Sequence, residues 1–155
     1  MAADADAPAA AILVDANLLL WAHHRQFAEH ERARNWWAAT LSLVPTVGIP
    51  WPSLLAFLRI STHARAFERP LSIAAAWSVA HGWLERPNVR SPSPTPRHAA
   101  IFGSLLVAGR ASGNHTTDAH LAALAIEWGL ELCSADHDFA RYPGLRWRDP
   151  LSHLA

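Results

Sequence analysis

Ala11-Ile12-Leu13-Val14 is an unbroken apolar run that stops at Asp15. A strand without apolar/polar alternation has to be covered on both faces, and the architecture that does this is a parallel sheet flanked by helices. Leu130 to Ser134 reads as a second such strand and leads at once into Asp136 and Asp138. Val44 to Ile49 is a further strand candidate, Pro87-Asn88-Val89-Arg90 is at best a short edge strand, and Leu145-Arg146-Trp147 supplies a final short one.

Helical patterns occupy the intervals. Leu18 to Trp21 begins one, and Glu29 to Leu41 carries Ala33, Trp36, Trp37 and Thr40 near 3.6-residue spacing. Pro50-Trp51-Pro52-Ser53 offers a helix start, with Ser53 as N-cap or first-turn residue of a largely buried helix through Leu54, Leu55, Phe57, Leu58 and Ile60. Leu71 to Leu84 is opened by Pro70 and Ser72, and Pro96 can sit in the first turn of a helix running to Arg110. Ser91 to Pro96 is then a surface loop. Ala111 to His115 is another, after which Thr116 or Thr117 caps a helix with the apolar face Leu121, Leu124, Ala125 and Trp128, ended by Gly129 at C′. The alternation of strand and helix predicts an α/β fold, a short parallel sheet of four to five strands with helices on both faces.

A chain of 155 residues matches one domain. We place it at residues 11–155 behind a flexible N-terminus, residues 1–10. Cys133 is the only cysteine and lies in an apolar run, so it reads as a small buried hydrophobe and nothing implies an oxidising compartment. The first residues carry Asp4 and Asp6 and lack a basic segment, and no stretch reaches the roughly 20 apolar residues that span a bilayer. The expectation is a cytoplasmic protein with no membrane partner. Formal charge balances, yet all 13 basic side chains are Arg. Guanidinium binds phosphate in a planar, bidentate manner, which is compatible with nucleic acid at zero net charge. Eight Trp is high for this length, and Trp36, Trp37, Trp77, Trp83 and Trp128 fall in amphipathic patterns that point to packing rather than base stacking.

The acidic residues are few and placed. Of seven Asp, two are in the first ten residues and one is Asp149; the other four, Asp15, Asp118, Asp136 and Asp138, sit where an apolar segment ends or a helix begins. In open parallel sheets ligands bind beyond the carboxyl ends of the strands, where Asp15 and Asp136 fall, and Asp118 in the first turn of its helix can point into the same crevice. Asp118 alone would be a first-turn acid favoured by the helix dipole, and Asp138 alone a turn residue or N-cap. Asp15 has no capping role that Ser would not fill equally well. Three or four carboxylates brought together cost several kcal/mol unless protons or a cation neutralise them. A hard divalent cation, Mg²⁺ or Mn²⁺, satisfies that requirement.

Four segments carry a family resemblance: Ile12-Leu13-Val14-Asp15-Ala16-Asn17-Leu18-Leu19; Leu54-Leu55-Ala56-Phe57-Leu58-Arg59-Ile60-Ser61-Thr62; Gly113-Asn114-His115-Thr116-Thr117-Asp118-Ala119-His120-Leu121 onward to Ala125; and Cys133-Ser134-Ala135-Asp136-His137-Asp138-Phe139. In this order and spacing the chain resembles the PIN-domain ribonucleases, and most closely the VapC toxins of toxin–antitoxin pairs, from Ile12 to Trp147. The resemblance implies a three-layer PIN fold and a Mg²⁺- or Mn²⁺-dependent hydrolysis of RNA phosphodiester bonds. Asp15, Asp118 and Asp136 match three of the acidic metal-binding positions, with Asp138 as an auxiliary acid. Asn17 and Thr117 are placed to orient a carboxylate or water, and Arg59 either contacts phosphate or solvates its helix end. A small antitoxin partner covering the acidic pocket and a homodimer also follow from the resemblance.

The chain departs from the pattern at one position. The family commonly has a Glu on the third helix shortly before an Arg, and Ala56, followed by Arg59, stands there. Either Asp138 substitutes, or the protein is a weakly active or non-catalytic binding module. Two rivals fit less well. His115, His120 and His137 bracket the acids, yet no pair has a recognised zinc spacing, and His23, His24 and His30 near Glu29 and Glu31 read as a solvated helix face. A haloacid-dehalogenase-like phosphatase would carry an acid two residues after Asp15, where Asn17 stands.

Overall fold

The computed structural model describes residues 9–152. The expected flexible N-terminus falls almost wholly outside them. Five short strands, β1 (Ala11–Val14), β2 (Thr46–Gly48), β3 (Val89–Arg90), β4 (Glu131–Cys133) and β5 (Trp147–Arg148), form one sheet in the order β3-β2-β1-β4-β5. Every pairing is parallel. Helices α1 (Ala16–His23), α2 (His30–Leu43), α3 (Trp51–Ser61), α4 (Ile73–Leu84), α5 (His98–Ala108) and α6 (His115–Trp128) connect them, and a 3₁₀ turn spans His137–Arg141.

Alternation along β1 divides the interior into two cores. Ile12 and Val14 face one side with Val47, Ile49 and Val89, covered by Leu18, Leu19, Trp37, Leu54 and Phe57 from α1, α2 and α3. Leu13 faces the other with Leu130 and Leu132, covered by Leu105 of α5 and Leu121 and Leu124 of α6. Consecutive residues of β1 thus serve both layers, which is why the strand is apolar throughout. The chain leaves β1 for β2 on one side and reaches β4 on the other, so strand order reverses at β1. That reversal opens a crevice at the carboxyl ends of β1 and β4.

Several expectations shift in detail. Pro96 precedes α5, which begins at His98 behind Arg97. Helix α6 starts earlier than a Thr cap would allow: Asn114 is its N-cap and makes no side-chain capping bond, while Thr116 and Thr117 lie in the first turn. Gly129 ends α6 as anticipated, at φ 65°, in the left-handed region that suits a residue without Cβ. The last strand is Trp147–Arg148 because those two residues take up register with Leu132 and Cys133. Trp37 is buried and Trp36 and Trp83 pack against the same core, but Trp128 and Leu55 are 51% and 58% exposed. The histidines near α1 are not a solvated face. His24 is buried, its Nε2 lies 2.8 Å from Ser61 Oγ, and its ring stacks on Phe67 at 4.2 Å. His30 Nδ1 is 2.8 Å from the Trp21 carbonyl. Cys133 is buried as expected, and burial pushes its thiol up to about 12.

Candidate active site

Pairing of Val14 with Cys133 at the ends of β1 and β4 sets the next residues, Asp15 and Ser134, beside each other. The Asp15 amide donates to the Cys133 carbonyl at 3.0 Å, which prolongs the ladder by one step and fixes the Asp15 backbone. Asp15 is also the N-cap of α1, its Oδ1 accepting from the Ala16 amide at 2.8 Å. Its other oxygen accepts from Ser134 Oγ at 2.7 Å. The Ser134 hydroxyl in turn accepts from Asn17 Nδ2 at 3.1 Å and from the Asp136 amide at 3.0 Å. One donated and two accepted bonds use the whole capacity of a hydroxyl, so Ser134 ties Asp15, Asn17 and Asp136 into one arrangement. Asn17 Oδ1 is left buried and without a partner.

Asp136 is the N-cap of the 3₁₀ turn, its Oδ1 accepting from the Asp138 amide at 2.9 Å. Asp138 therefore projects from the first turn, toward His115 on α6: His115 Nε2 is 3.1 Å from Asp138 Oδ2. Asp118, also in the first turn of α6, completes the group. Burial, then the charges of Asp15 and Asp136, pushes its carboxyl up to about 6, with Asp138 adding to the rise and His115 opposing it. Burial likewise raises Asp15, against its bonds to Ser134 and Ala16 and with help from Asp136. The Tyr142 phenol, pushed up to about 12 by burial and then by Asp118, donates to the His115 carbonyl at 2.8 Å.

The charges of Asp15, Asp136 and Asp138 thus all reach Asp118, and that of Asp136 reaches Asp15. Among the described residues no three His, Cys, Asp or Glu side chains are drawn into a closed metal-binding group. Unneutralised carboxylates repel, which favours such an open arrangement. The donor chemistry nevertheless fits a hard divalent cation: carboxylate oxygens from Asp15, Asp118 and Asp136, plus the orphaned Asn17 carbonyl, and no thiolate.

The supporting residues divide. Asn17 is in the group. Thr117 is exposed, and no side-chain hydrogen bond of it is found among the described residues. Arg59 is exposed and lies beyond Ser53 by six residues, about 9 Å along α3, beside His63 and Arg65 rather than the acids. Ser53, one turn before Ala56, donates to the Val14 carbonyl at 2.8 Å, and Ala56 itself is half-buried and belongs to neither core. Of the three histidines bracketing the acids only His115 joins them; His120 pairs with His98, and His137 with Asp149. The sequence does not single out Ser134 or Arg141 and offers His115 only as a rival zinc ligand, although Ser134 and His115 stand within the quoted motifs.

The sequence profile of the PIN domain family matches residues 12–145. The chain is 42% identical to Ribonuclease VapC33 of Mycobacterium tuberculosis, over 90% of this chain and 98% of that protein. It is 40% identical to Ribonuclease VapC37 of the same organism, over 92% and 99%. The chain belongs to the PIN domain family. Among solved structures, VapBC2 from Rickettsia felis bound to a DNA fragment of its promoter superposes with a TM-score of 0.63 at 17% identity, covering 88% of this chain and 96% of that one. DNA-bound VapBC from Salmonella typhimurium gives 0.62 at 19%, covering 89% and 96%. At those identities the likeness is one of fold.

Proposed function

We propose that this protein is a ribonuclease toxin of a toxin–antitoxin pair, hydrolysing RNA phosphodiester bonds at a Mg²⁺ or Mn²⁺ site held by Asp15, Asp118 and Asp136. The observation that carries the reading is the Ser134-centred network at the ends of β1 and β4, which ties the Asp15 carboxylate to the Asp136 backbone, with the charges of both acids reaching Asp118. Its relatives named ribonuclease VapC, matched over nearly their whole length, support the same activity. When bound, a divalent cation polarises the scissile phosphate, supplies a water of lowered pKa and stabilises charge on the leaving oxygen.

The chain's own residues prepare that site. Ser134 fixes the Asp15 carboxylate by donating to Oδ2, leaving a free lone pair on each oxygen. Asn17, held through its amide nitrogen, presents Oδ1 as a neutral oxygen donor. Asp118, raised to about 6 by burial first, would hold the cation as a carboxylate. Asp138, more exposed, stands at the rim as the auxiliary acid.

The partners follow from the same reading. A small antitoxin is supported by structural neighbours described as VapBC. Trp51 and Leu55 on α3 and Ile73 and Trp77 on α4 remain exposed and give a protein partner, antitoxin or second subunit of a homodimer, an apolar surface. No helix among the described residues is long and apolar enough to cross a membrane, in keeping with a cytoplasmic enzyme meeting cellular RNA. Incubation of the purified protein with total RNA tests the proposal. Cleavage is expected in Mg²⁺ or Mn²⁺ and is abolished by chelator; cleavage indifferent to chelator, or none in either metal, contradicts it.

A further inference from the structure

His115 lies against Asp138 and within electrostatic reach of Asp118, and it has no part in the reading above. Its ring is held on both sides. Arg141 Nη1 lies 3.0 Å from His115 Nδ1, and a guanidinium only donates, so Nδ1 must be the accepting nitrogen. The proton of the neutral ring is then on Nε2, which faces Asp138 Oδ2 at 3.1 Å. Arg141 closes the arrangement with a second nitrogen 3.9 Å from Asp138 Oδ1. The backbone of His115 is fixed as well, since Tyr142 Oη donates to its carbonyl at 2.8 Å. Three residues of the segment after β4, Asp138, Arg141 and Tyr142, thereby grip the first residue of α6.

We propose that His115 is a positioning residue, locked as its Nε2–H tautomer by Arg141, which aims the Asp138 carboxylate at the acid cluster and makes it the fourth acid in a protein with Ala56 on α3. This rests on the ribonuclease reading for its activity arm only. Asp138 is 55% exposed on a short 3₁₀ turn, where a free carboxylate would sample several rotamers. A directional N–H donor on one oxygen and a guanidinium near the other select one of them. Outer residues that orient a ligand typically change metal affinity or rate by about 10- to 100-fold when removed.

The test uses His115→Ala, His115→Gln and Asp138→Asn, alone and combined. Gln places an amide N–H close to the position of Nε2–H, whereas Ala removes the donor. Mn²⁺ binding to the whole protein by calorimetry is read beside Mg²⁺-dependent RNA cleavage. His115→Ala is expected to weaken Mn²⁺ about tenfold and to lower kcat with KM little changed. His115→Gln should restore both to within about threefold, and His115→Ala should add nothing on the Asp138→Asn background. Unchanged Mn²⁺ affinity in His115→Ala overturns the proposal, as does a Gln variant as damaged as Ala, or full additivity with Asp138→Asn. Melting curves identify any variant that fails to fold, in which case Arg141→Gln, which weakens the lock from the other side, carries the same expectation of weaker Mn²⁺ binding. If the wild type binds Mn²⁺ without cleaving RNA, the functional reading fails while the binding arm still decides the role of His115.

Discussion

Asp118 shows how a residue's surroundings set its chemistry. An ordinary Asp is ionised well below neutrality, but burial and the charges of Asp15 and Asp136 hold this one near 6. The folded chain without metal therefore binds more protons than the unfolded chain between about pH 4 and 6, so Asp118 opposes folding above that window and ceases to do so below it. If Asp118 is a ligand, a cation competes with that proton near and below pH 6. Mn²⁺ affinity is expected to fall steeply as pH drops through 6, with proton uptake by the buffer on binding near pH 6. Measured calorimetrically in two buffers of different ionisation enthalpy, a pH-independent affinity between 5 and 7 would show that Asp118 is not a ligand. Its place after four apolar residues draws attention to Asp15 in the sequence; in the fold it caps α1 through one oxygen while the other is turned to Ser134. Ser134 itself could not be recognised from sequence, because its bond to Asp15 joins residues 119 positions apart.

Among the elements, α3 makes the sharpest statement. Ser53 anchors its first turn to the end of β1, and Ala56, half-buried and outside both cores, follows on the same side. Ala56→Glu is expected to tighten Mn²⁺ binding and to leave the melting temperature of the metal-bound protein unchanged or higher. A lower melting temperature with no gain in affinity would place Ala56 away from the cluster. The joint between α1 and α3 is expected to be acid-sensitive. His24, packed against Phe67 and bonded to Ser61, is lowered to about 4 by burial first and by His23 and His30 next. A folded pKa below that of free His means the unfolded chain binds more protons between about 4 and 6.5, so stability falls as pH is lowered through that window, by up to about 3 kcal/mol. Denaturant melts at pH 7 and 4.5 should show a smaller loss in His24→Gln than in the wild type; equal losses would remove His24 as the cause. Strand and helix order was readable because β1 and β4 must be apolar on both faces and α2 repeats near 3.6. The start of α6 was not, since Asn114 caps it with no side-chain bond, and neither was His24, whose aromatic neighbours Phe57 and Phe67 come from distant segments.

At the scale of the whole molecule, a five-stranded parallel sheet with its order reversing at β1 sets Asp15 and Asp136 after the carboxyl ends of β1 and β4, with Asp118 at the head of α6 near enough to feel both charges. The fold holds these charges together because two cores, one on each face, fix the strand ends that carry them. The chain belongs to the PIN domain family, and Ala56 stands where the resemblance leads one to expect a Glu. The central claim is that these aspartates form one divalent-cation site, and the most direct measurement is Mn²⁺ binding, followed by electron paramagnetic resonance, to the wild type and to Asp15→Asn. Asn keeps the shape and the cap but removes the charge. The expected result is saturable binding by the wild type, weakened at least about tenfold in Asp15→Asn, with the metal-free variant melting at the same or a higher temperature because repulsion is relieved. Equal Mn²⁺ binding by the two proteins, both folded, would contradict the account.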